Sequence, residues 1–143
     1  MKTLKKVVNM VVGEEPFITY RHLRVRHLNR VFPVVTFRFE LYRNSNKLRF
    51  SFAVCSKKDQ FSRDTGRVIA NSRMNNGEFF YIDFDPKDDF IKAAIAHLKG
   101  LENANPLAFI NPKNCSENAA IARCLEAVDI LGTYHSLVAN TDE

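Results

Sequence analysis

Two stretches of alternating apolar and polar residues predict a β-hairpin in the first half of the chain. A period of two is the pattern of strands that bury one face. A two-residue loop at Asn44-Ser45 would place Glu40 opposite Arg49, which makes an oppositely charged cross-strand pair. A three-residue loop would instead set Glu40 against Phe50 and mix the two faces, so we expect the two-residue loop. The predicted strands are 34–43 and 47–55.

Cap residues and helical periodicity predict three helices after the hairpin. Ser56, Asp85 and Ser116 are candidate N-caps, and Pro86 suits the first turn of the second helix. Gly66 weakens the first helix by about 1 kcal/mol relative to alanine. The predicted helices are 57–74, 86–100 and 117–131. The first helix would turn a narrow stripe inward, made of Phe61, Thr65, Val68, Ile69 and Ser72.

The order of the elements, strands first and helices later, is typical of an α+β fold. A strand at 78–84 and extended segments at 17–28 and, more weakly, 5–12 would widen the hairpin into a mainly antiparallel sheet, with the helices on one face. A chain of 143 residues has the size of one domain, and half of it would be too small for its own core. We predict a single α+β domain over 1–143 with a loosely ordered tail at 133–143.

The charge of the chain is divided along the sequence. Residues 1–73 carry sixteen Lys and Arg against five Asp and Glu, whereas residues 74–143 carry five against eleven. A surface of one sign concentrates partners of the opposite sign. The basic half therefore predicts a polyanionic partner, and nucleic acid is the first candidate.

Basic residues follow three successive elements of this half. The first, Tyr20 to Arg30, contains no acid, and as a strand it would place Tyr20 and Arg24 on one face. An edge strand that uses charge against aggregation is the alternative, and an ordinary solvated face is the alternative for the hairpin. Arginine would neutralise phosphates and tyrosine would stack on bases. The candidate nucleic-acid-binding residues are Tyr20, Arg21, Arg24, Arg26, Arg38, Tyr42, Arg49, Arg63 and Arg67.

The third basic element has the pattern Asp-x-Phe-x-Arg-x-x-Gly-Arg-x-Ile-Ala-x-x-Arg over residues 59–73. With the strand before it, from Phe52 through Arg73, this segment resembles small, mostly uncharacterised proteins encoded by bacteriophages. The resemblance implies a phage accessory protein in the cytoplasm of the host cell, and it supplies no activity or catalytic residue. The matching positions, which form either a binding edge on the sheet or a salt-bridged helix cap, are Asp59, Phe61, Arg63, Gly66, Arg67 and Arg73.

The sequence contains no complete catalytic motif. An acidic cluster that begins at Asp83 has the residue type of a Mg²⁺-dependent nuclease, but helix capping already explains Asp85 and Asp88. Three widely spaced cysteines fit neither a disulfide framework nor a metal site. The apolar stretch near the amino terminus is too short for a signal peptide, and no other is long enough to span a membrane. We expect no catalytic residue, metal or cofactor, and a cytoplasmic location.

The leading hypothesis is a non-enzymatic protein whose basic half binds nucleic acid or a host nucleic-acid machine. The alternative is a protein–protein module that inhibits or redirects an acidic host protein, or a homo-oligomer that pairs its basic and acidic halves. A Mg²⁺-dependent nuclease is the third hypothesis, with Asp83 as the residue to test.

Overall fold

The computed structural model describes residues 14–25, 33–55, 63–109, 117–132 and 137–142. Within these ranges the strands are β1 (Phe17–Val25), β2 (Val34–Tyr42), β3 (Lys47–Cys55), β4 (Phe80–Asp83) and β5 (Leu137–Asp142). The helices are α1 (Arg63–Asn75), α2 (Phe90–Ala104) and α3 (Glu117–Leu131), with a short 3₁₀-helix at Pro106–Phe109. The fold is α+β with an antiparallel sheet, as predicted from the sequence.

The strands form one sheet in the order β4-β3-β2-β1-β5, and every neighbouring pair is antiparallel. The predicted hairpin register is confirmed, because Glu40 lies opposite Arg49 and Phe39 lies opposite Phe50. The backbone N–H of Asn46 donates to the Arg43 carbonyl across the turn at 3.4 Å. Asn46 has a φ of 52°, a left-handed conformation that asparagine tolerates better than most residues.

Phenylalanine side chains build the core on one face of the sheet. Phe37 and Phe50 are fully buried, and their ring centroids lie 6.4 Å apart in an edge-to-face contact. Phe39 stacks on Phe90 of α2 at 5.2 Å, and Ile121 of α3 belongs to the same cluster. Helices α2 and α3 therefore cover the face that the period-two pattern marks as apolar.

Helix α1 packs on the opposite face of the sheet, so the prediction that all helices lie on one face is wrong. Its Ala70 carbonyl accepts a hydrogen bond of 2.7 Å from the Ser51 hydroxyl. Its Gly66 lies directly against Thr36. Ser51 and Thr36 alternate with the core phenylalanines along β3 and β2, so they point away from the core.

The predicted inward stripe of α1 is also wrong. Val68 and Ile69 are 64% and 38% exposed, whereas Ala70 and Met74 are buried. The face of the sheet under α1 is polar and closely approached, so small residues fit it better than branched aliphatic ones. Phe61 and the predicted helical residues before Arg63 lie outside the described residues.

Both ends of α2 differ from the predicted 86–100, since the helix spans Phe90–Ala104, while the bounds of α3, 117–131, are confirmed. Helix α2 begins at Phe90 because Asp89, not Asp85, is its N-cap and accepts the Lys92 N–H at 3.0 Å. The Asp85 carboxylate instead accepts the Lys87 N–H at 2.9 Å, which closes a turn before the helix. The predicted cap residues Ser56 and Ser116 and the extended segment 5–12 lie outside the described residues.

The chain returns to the sheet at its carboxyl-terminal end. The sequence predicts a loose tail over 133–143, but residues 137–142 form β5 and pair with β1 from Tyr20 to Val25. This pairing satisfies backbone groups of β1 that would otherwise line a free edge.

Candidate functional site

Five of the nine predicted binding residues share the face of the sheet opposite the phenylalanine core. We call this the polar face. It is formed by alternate residues of β1, β2 and β3, which the register places side by side. Its central members are Tyr20, His22, Arg24, Thr36, Arg38, Glu40, Tyr42, Arg49 and Ser51.

Glu40 is the centre of an ion-pair network on the polar face. Arg38 donates from Nη2 to Oε2 at 2.7 Å and from Nε to the same oxygen at 3.1 Å. Arg49 donates from Nε to Oε1 at 2.8 Å, and its Nη2 contacts the same oxygen. Tyr42 donates from its hydroxyl to Oε1 at 3.0 Å. One buried carboxylate thus serves two guanidiniums and a phenol.

The two arginines of this network are mostly covered. The side chains of Arg38 and Arg49 are 16% and 15% exposed, and that of Glu40 is buried. The guanidinium of Arg49 also lies over the Phe79 ring, 4.5 Å from its centroid. The Nε and Nη2 donors of both arginines are therefore directed to Glu40 rather than to a phosphate.

The ionisation of the network follows from burial and charge. Burial raises the pKa of Glu40, but the hydrogen bonds and charges of Arg38 and Arg49 outweigh it and hold the pKa below its usual 4.5. Burial, together with the negative charge of Glu40, raises the pKa of Tyr42 to about 12. At neutral pH the carboxylate is charged and the phenol is protonated, which are the forms that this hydrogen bonding needs.

Asn71 of α1 connects the helix to this network. Its Oδ1 accepts from the Tyr20 hydroxyl at 2.7 Å and from Arg38 Nη1 at 2.8 Å. Arg38 Nη1 also donates to the Tyr20 hydroxyl at 2.6 Å. The guanidiniums of Arg38 and Arg67 lie 5.6 and 5.9 Å from the centroid of the Tyr20 ring. Tyr20, predicted to stack on bases, is thus in contact with two cations of its own chain.

Five residues of the site were not among the predicted binding residues: His22, Thr36, Glu40, Ser51 and Asn71. Asn71 carries a signal that could have identified it, because asparagine in a helix interior is unfavourable unless its side chain has a partner. His22 is fully buried, and its Nδ1 lies 2.9 Å from the Thr36 hydroxyl oxygen. Neither Asn71 nor His22 stands out by charge, which was the basis of the prediction.

The other predicted residues lie away from the network. Arg21 lies on the core face of β1, over the Phe90 ring at 4.9 Å. Arg24 belongs to the polar face, and no described residue accepts a hydrogen bond from its buried Nε. Arg63 is the first residue of α1, and Arg26 lies outside the described residues.

Three positions of the pattern at 59–73 have packing roles in the structure. Gly66 allows α1 to approach Thr36 closely. Arg67 pairs with Asp64 at the start of α1. Arg73 donates from Nη1 to the Phe52 carbonyl at 2.6 Å. Asp59 and Phe61 lie outside the described residues.

A metal site, a nuclease site and a reactive thiol have little support among the described residues. The described ranges contain no group of three His, Cys, Asp or Glu residues placed to hold a metal ion. Asp83, the residue of the nuclease hypothesis, pairs with Lys47. Burial raises the pKa of Cys124 to about 12, so this thiol is protonated at neutral pH. None of the described helices has the length and apolar character to cross a membrane.

Comparison with known proteins identifies no relative, because no family model, no curated protein and no solved structure matches the chain.

Proposed function

We propose that this protein is a non-enzymatic, phage-type accessory protein that binds nucleic acid with one end of its sheet. The phage-type part of the proposal rests on the resemblance of residues 52–73. The binding part rests on how the charges are distributed between the described elements and the segments that join them.

The described residues are close to neutral. They carry thirteen Lys and Arg against fourteen Asp and Glu, whereas the rest of the chain carries eight against two. On the polar face, Glu40 neutralises one of the two charges of Arg38 and Arg49 and accepts hydrogen bonds from both. A polyanion is therefore attracted by the remaining excess rather than by the centre of the sheet.

Half of this excess belongs to two segments that join the elements at one end of the sheet. Val34 lies opposite Cys55, and Val35 lies opposite Leu23, so β1 ends, β2 begins and β3 ends there. Along the chain, segment 26–32 follows β1 and precedes β2, and segment 56–62 follows β3 and precedes α1. We call this the basic end; the basic residues of its two segments are Arg26, Arg30, Lys57 and Lys58, with Asp59 as the one acid.

Arg24 is the described residue that supports the basic end most directly. It lies next to the end of β1 on the polar face, and its Nε has no hydrogen-bond acceptor among the described residues. This Nε is buried and out of reach of an outside oxygen, so the contribution of Arg24 would be the positive charge of its half-buried side chain rather than a hydrogen bond from Nε. In this proposal Arg38 and Arg49, which were predicted to bind phosphate, stabilise the fold instead. Arg24 and the basic end bind the nucleic acid.

Replacing Lys57 and Lys58 with glutamine should weaken binding and reduce its salt dependence. Affinity for labelled single-stranded and duplex oligonucleotides would be measured by fluorescence anisotropy over a range of salt concentrations. Affinity falls as salt rises, and each lost phosphate contact reduces the magnitude of the slope of log affinity against log salt by about 0.7 to 0.9. The slope of the double variant should therefore be less steep by about 1.5.

The double variant Lys87→Gln and Lys92→Gln is the matched control, because it removes the same charge from exposed positions in the acidic half. We expect it to bind like the unmodified chain. An equal loss in both double variants would refute the basic end as the contact. Absence of binding to any oligonucleotide at low salt would refute nucleic-acid binding itself.

A further inference from the structure

A cavity of about 470 Å³ opens beside β3, on the side away from β2. Phe52 of β3 and Phe79, just before β4, form part of its apolar lining. Arg73 near the end of α1 contributes to one side, and residues of the first half of α3 contribute to the other. This volume lies within the range of sites that bind small ligands or side chains.

The position of the cavity follows from the helices that line it. Helix α1 packs on the polar face and α3 packs on the core face, so a cavity that both helices reach lies at the edge of the sheet. Strand β4 pairs with β3 only from Lys47 to Phe50. No described strand pairs with the outer edge of β3 beyond that point.

This part of β3 carries no protective residue of its own, and Arg73 covers one of its outward backbone groups. Its sequence, Phe52 to Cys55, contains no charge and no proline, which are the common devices against strand pairing. The Phe52 carbonyl points outward, since Arg73 donates to it at 2.6 Å from outside the sheet. Outward backbone groups recur at every second residue of an antiparallel strand, so Val54 also presents its N–H and carbonyl to this edge.

Charged residues of both signs surround the apolar lining. Arg73 and Arg123 contribute two positive charges, and Glu78 and Glu117 contribute two negative charges. A lining of zero formal charge does not favour a phosphate chain. An extended peptide fits better, because its side chains alternate between the two faces and its backbone can bond to a strand edge.

We propose that this edge of β3 binds an extended peptide segment of a partner protein as an added strand. The peptide backbone pairs with Phe52 and Val54, replacing the hydrogen bond from Arg73. An apolar side chain fills the space between Phe52 and Phe79, and charged neighbours pair with Arg123 and Glu117. The site adjoins the basic end at Val54, but it uses the outer edge of β3 and its proposal does not rest on nucleic-acid binding.

A display library of short random peptides selected on the immobilised full chain tests the proposal. We expect enriched peptides with an apolar residue between charged ones, and the affinity of a synthesised representative would be measured by fluorescence anisotropy. Arg123→Glu should weaken binding about tenfold or more through the lost charge pair. Lys99→Glu, the same charge reversal at an exposed position of α2, should leave the affinity unchanged.

A backbone variant tests the added strand itself. Val54→Pro removes the outward N–H, and proline is tolerated at an edge position of this kind, so circular dichroism should show an intact fold. Binding should again fall about tenfold or more. The proposal is overturned if no peptide is enriched, or if the peptide binds both variants as tightly as the native chain. It is also overturned if a nucleotide, AMP or CMP, displaces the peptide, because the cavity would then be a nucleotide site.

Discussion

Replacing Glu40 with glutamine should lower the free energy of unfolding by about 3 kcal/mol. The substitution keeps the size of the side chain but removes the negative charge that Arg38 and Arg49 share. Both guanidiniums are mostly covered, so water replaces the lost partner only in part. Urea denaturation with linear extrapolation measures the change.

The stability deficit of Glu40→Gln should also depend on pH. The folded state lowers the pKa of Glu40, so the carboxylate contributes stability that is fully present above its ordinary value of 4.5. That contribution is lost as the pH falls through the lower pKa of the folded state. The difference between the variant and the native chain should be largest at neutral pH and shrink progressively below pH 4.5.

Asp83→Asn provides a matched control for the loss of a carboxylate charge. Asp83 pairs with Lys47, but its side chain is 87% exposed, so water and salt screen the pair. We expect no measurable change in stability for this variant. If Glu40→Gln were no more destabilising than Asp83→Asn, the polar face would not be held by the Glu40 network.

Gly66→Ala should destabilise the protein by about 2 kcal/mol, although alanine favours a helix. A methyl group at Gly66 would overlap the hydroxyl of Thr36 and lie 3.1 Å from its Cβ, so the threonine or the helix would have to shift. The Thr36 hydroxyl is buried and lies 2.9 Å from His22 Nδ1, which limits its movement. Thermal and urea unfolding measure the effect.

Gly100→Ala is the matched control for this substitution. Gly100 lies in α2 with open space around its α-carbon, so the same change should stabilise the protein by roughly 0.5 to 1 kcal/mol. The two variants are thus expected to differ in sign. A stabilising effect at both positions would contradict the close approach of α1 to the polar face.

The hairpin and α3 were predictable because their signals are local. Alternation and turn residues determine the register that sets Glu40 against Arg49, and a pattern of inward residues marks α3.

The packing side of α1 was not predictable from its own residues. Val68 and Ile69 are its most apolar positions, but they are exposed, and Gly66, Ala70 and Met74 lie on its inward side. Strand β5 depends on pairing with β1, more than a hundred residues earlier in the chain.

The site was only partly predictable for a related reason. The sequence places Arg38, Glu40 and Arg49 on one strand face, and it already sets Glu40 opposite Arg49. Counting the arginines as phosphate ligands ignores that a single buried carboxylate bonds to both. Asn71 and Tyr20 meet only because α1 crosses the polar face, which requires the tertiary structure. Arginines that pair with a buried acid contribute little to a basic surface. A basic composition therefore predicts such a surface only from the Lys and Arg that remain outside these ion pairs.

Hydrogen–deuterium exchange with and without a saturating oligonucleotide tests most directly where the chain binds. The account predicts added protection in peptides that cover the basic end, residues 24–34 and 54–67. It also predicts unchanged exchange over residues 38–49, where the Glu40 network already pairs the arginines. Protection concentrated on residues 38–49, with none at the basic end, would contradict it.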